Sequence, residues 1–233
     1  MRRVAFAGFV ALWWLGLLMA FGALPPGAPP TPHTRLAYPG AQFTERFGQA
    51  AASGNRLDVV AAGEDHSALQ TVATTALNAA DWRILRYRFA DLPRSLELTL
   101  VFRRADHPDD VQTVSLPWPG DGEASFDLAR VPEWQGRIVE IGFAEYPTAQ
   151  SVPVELGFRP FSLIEAELQT LSWQGAFAVK RSDWFGYWPW ALMSISALGP
   201  DAAAPRGSSF VVLVGLGFGG TLAIGAGLFG WCG

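Results

Sequence analysis

The chain has 233 residues, half of them hydrophobic and only 16% charged, against roughly 25% charged in ordinary soluble domains. All 21 acidic residues lie between Glu45 and Asp201, where they outnumber the basic ones, and with no Lys/Arg cluster the sequence argues against nucleic-acid binding. The single cysteine, Cys232, excludes an intrachain disulfide and CxxC-type metal or redox motifs.

Arg2 and Arg3 precede an uncharged apolar run at residues 4–24. As a helix this run spans about 31 Å, close to a hydrocarbon core of roughly 30 Å, and the positive-inside rule leaves the N-terminus in the cytoplasm. A cleaved signal peptide is the competing reading. Its apolar core is usually about 7–15 residues and ends at a small-x-small site. This run is longer, and Ala20-Phe21-Gly22 is only a passable site, so residues 1–24 are read as an uncleaved transmembrane anchor. Prolines at 25, 26, 29, 30 and 32 follow. They predict a stiff polyproline linker over 25–42 that holds the next domain away from the bilayer.

From Phe43 to Leu168 the texture becomes that of a β-sandwich. Leu96, Leu98, Leu100 and Phe102 alternate with other residues, as do Val152, Val154, Leu156 and Phe158. Val139, Ile141 and Phe143 form a third inward-facing set. Further strands are expected at 56–61, 69–77, 82–90, 111–116 and 124–128, joined by turn-rich segments such as "RADHPDD" and "PWPGDGE". Period-two alternation with one apolar face suits antiparallel sheets packed face to face.

The stretch "SFDLARVPEWQGRIVEIGFAEYP" resembles the galactose-binding-like jelly roll of many carbohydrate-binding modules. A tryptophan-glycine turn, Trp134-Gln135-Gly136, leads into a core strand at Arg137–Phe143, and a late strand at Val152–Phe158 closes the sandwich. The resemblance covers residues 43–165 and is architectural. It implies a jelly-roll-like fold and glycan binding, and brings no binding-residue motif with it.

Ser162 and Glu165 spell a capping box with Ile164, Leu168 and Leu171 on one helix face, although Ser162–Leu168 could equally prolong the last strand. Residues 169–206 are read as an amphipathic, aromatic segment at a membrane interface, with Trp184, Tyr187, Trp188 and Trp190 as the interfacial rings and Lys180 and Arg181 flanking them. An exposed aromatic surface capping the sandwich and an aromatic sugar platform are the alternatives.

Residues 207–233 are again uncharged, and Phe210–Trp231 is about one bilayer long. Gly215-x-Gly217-x-x-Gly220 matches the spelling of a dinucleotide-binding turn. Such a site needs a second strand and an acidic ribose ligand about 20 residues on, and neither can follow here. The more informative spacing is Gly215, Gly219, Ala223 and Gly227, which line one helix face in the small-xxx-small packing mode. The partner expected for it is the helix at 4–24 or another membrane protein.

Candidate chemistry is sparse. His66 and His107 sit in polar turns without a nucleophile motif, and the Asp106, Asp109, Asp110 spacing fits no EF-hand loop. Glu140, Glu145 and Glu155 stand on expected strands, where exposed carboxylates are routine. Trp82, Trp118 and Trp134 are the candidate ligand platforms, each weighed against a role in the core. No catalytic residue, metal ligand or cofactor is assigned. The expectation is an all-β extracytoplasmic sandwich flanked by two transmembrane α-helices, in the inner membrane of a bacterium with the central domain in the periplasm. Its function would be non-catalytic binding or scaffolding in the cell envelope, with lipid bilayer, a membrane helix and a glycan as partners. The alternative is an accessory subunit or N-terminal part of a polytopic envelope enzyme such as a glycosyltransferase.

Overall fold

Alternating apolar residues in the middle of the chain become strands of two antiparallel sheets. The computed structural model describes residues 2–147, 158–185 and 206–229. Among them are β1 (Arg35–Pro39), β2 (Thr44–Phe47), β3 (Gln49–Ser53), β4 (Arg56–Ala61), β5 (Ala68–Asn78), β6 (Ile84–Ala90), β7 (Leu96–Arg104), β8 (Val111–Ser115), β9 (Glu123–Asp127), β10 (Arg137–Pro147) and β11 (Phe161–Gln169). One sheet runs β3-β4-β11-β6-β9, with β1 added to β11, and the other runs β2-β5-β10-β7-β8.

The inner faces meet in one core. Leu98, Leu100, Phe102, Ile141 and Phe143 of the second sheet and Leu85, Tyr87, Phe89, Leu163 and Leu168 of the first are each at most 3% exposed. The Phe143 ring lies 5.3 Å from Phe89 and 5.8 Å from Tyr87, across the gap between sheets. Each such side chain contributes about 1.5–3 kcal/mol by leaving water.

Register differs from the expected alternation at one place. Ile138, not Val139, is the fully buried residue ahead of Ile141. A bulge between Ile138 and Glu140, seen in the pairing with both β5 and β7, shifts the period by one residue. The domain also begins earlier than Phe43: β1 lies inside the segment read as linker and pairs with β11 from Arg35↔Gln169 to Pro39↔Glu165. Close approach explains the next turn, since a methyl group on Gly40 would stand 1.9 Å from the Leu163 carbonyl oxygen. Strands β2 and β3 are mostly exposed, so no apolar alternation marks them in the sequence. The strand expected at 152–158 lies outside the described residues except for Phe158, whose ring packs on Phe161 at 5.8 Å. Ser162 and Glu165 belong to β11: Ser162 Oγ bonds Asp58 at 2.6 Å and Glu165 pairs with Arg88 at 3.6 Å, so they form no helix cap.

Helices α1 (Arg2–Ala20), α2 (Trp173–Phe185) and α3 (Arg206–Phe229) complete the described chain. Helix α1 stops short of residue 24 in a turn through Gly22, whose φ is 72°. Helix α2 lies in the segment read as amphipathic and begins at Trp173, not at Ser162. Its N-cap is Ser172, fully buried, whose Oγ accepts from Gly175 N at 3.0 Å. Two more of its first N–H groups are taken by the proline segment: Trp173 N donates to Pro29 O at 2.9 Å and Gln174 N to Pro30 O at 3.1 Å. Trp173 Nε1 adds a bond to Pro25 O at 3.1 Å. The prolines therefore fold back along α2, and the stand-off spacer expected from the sequence is not formed. Removing the cap with Ser172→Ala should cost about 1 kcal/mol. In thermal unfolding of the full chain this should lower the midpoint by about 2–4 °C, and Ser172→Thr should restore it.

Helices α1 and α3 run antiparallel. A methyl group on Gly217 would meet Trp14 at 2.2 Å, one on Gly220 would meet Trp13 at 2.2 Å, and one on Gly225 would touch Phe6 at 3.6 Å. Trp13 Nε1 donates to Leu216 O at 3.2 Å, and the Trp14 and Phe218 rings stand edge to face at 6.2 Å. The packing glycines are thus Gly217 and Gly220, not the expected stripe. Gly215, Gly219 and Gly227 have nothing within 4 Å of an added methyl, and Ala223 is exposed. A flat indole ring fills the space of a whole missing side chain, so two adjacent tryptophans select glycines three apart and leave the four-residue stripe on the outside.

Candidate functional site

The three candidate tryptophans are not brought together. Trp134 is 8% exposed and lies in the core, edge to face with Phe102 at 5.1 Å, its Nε1 donating to Trp82 O at 3.0 Å and Ala79 O at 3.2 Å. Trp82 is half-buried beside it, against the core. Both stand at the start of β6. Trp118 stands beyond its other end, where Trp118 Nε1 bonds Pro93 O at 3.2 Å.

Trp118 borders a groove, a cavity of about 250 Å³ between α2 and the turn leading into β9. The turn is forced by two left-handed residues, Asp121 at φ 54° and Gly122 at φ 80°. A side chain on Gly122 would strike the Phe89 carbonyl oxygen at 2.8 Å, so glycine is required there. Tyr87, fully buried, fixes the approach to the turn by donating its hydroxyl to Pro117 O at 2.5 Å. Arg94 lies over the Trp118 ring at 5.3 Å from its centroid.

Across the groove stand Arg181, Ser182 and Phe185 of α2. Ser182 Oγ accepts from Ser125 N at 2.9 Å, which locks α2 to β9. Arg130 clamps Asp183 through two bonds of 2.9 and 2.6 Å and reinforces the same joint. Glu123 pairs with Arg86 at 2.6 Å and with Arg181 at 3.9 Å. The Arg86 hydrogen bond holds the Glu123 carboxyl below the usual carboxylate range, so the groove carries a fixed anion beside an exposed cation. An aromatic face, a carboxylate and a guanidinium around a shallow cleft can stack and hydrogen-bond a polyhydroxylated ligand.

The carboxylates on strands fall into unlike places. Glu140 stands between Arg46 and Arg103, each 3.0 Å away. Glu145, expected on an exposed face, is fully buried and faces the core, with Gln70 Nε2 bonding its Oε2 at 3.0 Å. Burial pushes its carboxyl up to about 8. Its inward position continues the Ile141–Phe143 alternation, and that was the signal available in the sequence. Glu155 lies outside the described residues, as do Tyr187, Trp188 and Trp190. Trp184 closes α2 and packs on Phe210 of α3 at 5.4 Å. His66 and His107 are in exposed turns, and Asp106 is tied to Arg104 by a hydrogen-bonded ion pair.

No family model matches the sequence, and no curated protein matches it. Solved structures similar to it include carbohydrate-binding modules and a Crh5 transglycosylase in complex with NAG. One is the xylan-binding module CBM86 from the gut symbiont Roseburia intestinalis, 13% identical over 61% of this chain and 98% of that one, with a TM-score of 0.41. Another is the CBM22-2 xylan-binding domain from Paenibacillus barcinonensis Xyn10C, 14% identical over 58% and 99%, with a TM-score of 0.40. A third is a CBM6 module of Cellvibrio mixtus lichenase 5A in complex with cellotriose, 13% identical over 58% and 97%, with a TM-score of 0.34.

Proposed function

We propose that the chain is a membrane-anchored, non-catalytic binding module of the cell envelope whose groove beside Trp118 takes a glycan. The observation that carries the anchoring is the construction of the α1–α3 pair. Gly217 and Gly220 face inward onto Trp14 and Trp13, while Phe9, Leu12, Val211, Phe218 and Leu222 are 55–73% exposed. In water this arrangement would leave the large apolar side chains hydrated, whereas in lipid they are the outer surface. Phe210–Gly227 is long and apolar enough to cross a membrane, and Phe6–Ala20 is a shorter apolar helix. Arg2 and Arg3 favour a cytoplasmic N-terminus, and together with the antiparallel pairing they support a periplasmic position for the two-sheet domain in a bacterium.

The glycan half of the proposal is supported by the aromatic and charged lining of the groove. Two measurements test the whole. The full chain should stay in membranes through alkaline carbonate extraction. In detergent it should be retarded in gels containing soluble xylan, mixed-linkage β-glucan or peptidoglycan glycan strands. Trp118→Ala should weaken that binding at least about tenfold, as loss of a central aromatic contact does, and Trp82→Ala should leave it unchanged. No retardation in any gel, or equal retardation of Trp118→Ala, would overturn the glycan assignment.

A second reading is favoured by the open stripe of Gly215, Gly219, Ala223 and Gly227. There the chain is an accessory subunit or leading part of a polytopic envelope enzyme such as a glycosyltransferase, and the stripe seats a helix of that enzyme.

A further inference from the structure

We infer that the cavity where α1 gives way to the domain is a binding site for the phosphate of an anionic lipid headgroup. The inference rests on the membrane half of the proposed function. The cavity, about 270 Å³, is bordered by Gly22 and Pro25 just after α1, by Arg83 ahead of β6, by Asp127 and Arg130 at the end of β9, and by Lys180 of α2. Three cations thus face one carboxylate.

The cations are held in place without being used up. Arg83 bonds Asp127 through Nε at 3.1 Å and one terminal nitrogen at 3.3 Å. Arg130 is fixed by its two bonds to Asp183, which is not part of the lining. A guanidinium has five N–H donors, so each retains donors beyond those pairs. Lys180 makes no ion pair among the described residues, and its Cε lies 3.6 Å from the place a Gly22 methyl would occupy. Glycine at 22 serves the turn, with φ 72°, and the lysine stem passes beside it. Fixed guanidinium forks with a mobile ammonium suit a phosphate group.

The remaining wall decides the source of that phosphate. Leu171, half-buried, and the buried Ile84, Val179 and Ala176 line the cavity beside the cations, an apolar floor suited to a glycerol backbone rather than to a free, fully hydrated anion. The position agrees: the cavity follows the last turn of an apolar helix, the level at which headgroups stand.

The test uses the full chain reconstituted from detergent into vesicles and then re-extracted, with retained lipid measured by native mass spectrometry. Phosphatidylglycerol should be retained over phosphatidylcholine. Lys180→Gln should lower that retention about fivefold, the loss of one basic contact, and Arg56→Gln, which removes an equal charge elsewhere on the domain, should not. Inorganic phosphate in large excess should leave the lipid bound. Equal retention of the two lipids, unchanged retention in Lys180→Gln, or displacement by inorganic phosphate would each overturn the lipid site. Carbonate extraction separates the two claims. A chain washed from membranes ends the membrane reading, whereas a chain that stays but shows no lipid preference ends only this one.

Discussion

The full chain should lose stability as pH rises from about 5 to about 8, and Glu145→Gln should remove that loss. Glu145 lies on the inner face of β10, fully buried, with its carboxyl raised from an ordinary value of 4.5 to about 8, chiefly by desolvation. Between these two values the folded chain keeps the proton and the unfolded chain has released it. The unfolded state then binds fewer protons, so stability falls by about 1.4 kcal/mol per pH unit and levels off above the folded value. The whole loss is on the order of 5 kcal/mol. Asp58, Asp65, Asp106 and Glu123 are shifted the other way, by hydrogen bonds to Ser162, Ser67, Arg104 and Arg86. Their stabilisation is present above the ordinary carboxylate value and is lost as pH falls below it, so they do not overlap the Glu145 window. Glu145 Oε1 and Gln70 Oε1 are both buried and have no hydrogen-bond partner among the described residues. Glutamine at 145 keeps the volume, carries no charge and supplies a donor for Gln70. Thermal unfolding followed by tryptophan fluorescence should show Glu145→Gln melting about 10 °C or more above the parent at pH 8, and close to it at pH 5. A parent profile that is flat between pH 5 and 8 would mean that Glu145 is charged in the folded chain.

The combined change Gly217→Leu and Gly220→Leu should separate α1 from α3. Each new Cβ would sit 2.2 Å from an indole ring, and each leucine extends further. Withdrawing the rings of Trp13 and Trp14 would also break the Trp13 bond to Leu216 O and the Trp14 contact with Phe218, the contacts that join α1 to α3. Overpacking costs about 1–3 kcal/mol at each position. Unfolding in detergent by added SDS, followed by the near-ultraviolet signal of the tryptophans, should move to lower SDS. Gly215→Leu with Gly219→Leu adds the same bulk on the outer stripe and should leave that transition in place. The reverse ranking would make the stripe the α1-facing surface. If the outer pair instead releases the chain from a larger membrane complex, the accessory-subunit reading gains its direct support.

The strands with one apolar face were legible in the sequence. Leu96, Leu98, Leu100 and Phe102 are all inward and nearly fully buried, because one buried face imposes a period of two. The alternation failed at Val139, since a bulge changes the period without any compositional mark. It also said nothing of β2 and β3, whose side chains lie mostly in solvent. Reading Glu145 by residue type rather than by position put it on the wrong face. Of the candidate platforms, Trp118 reaches a groove, and the partners it meets there, Glu123 and Arg181, lie 5 and 63 residues away in sequence, a juxtaposition that the α2–β9 contact creates. The glycine pattern of α3 was visible, but which of its faces meets α1 depends on the indole rings opposite, and a four-residue repeat carries no information about those.

The folded-back proline segment sets how far the domain can reach. Ten residues of free polyproline after Leu24 would extend about 31 Å, letting the groove sweep a deep shell above the bilayer. Bonded to α2 through Trp173 and Gln174, the same residues add almost nothing to the height, and Phe210 of α3 packs against Trp184 and Phe185 from the other side. With the helix pair in a membrane as proposed, the domain works as a short pedestal, not as a lure on a line. Its search is confined to a thin layer parallel to the membrane, and a polymer would be sampled only where it lies down against the lipid surface.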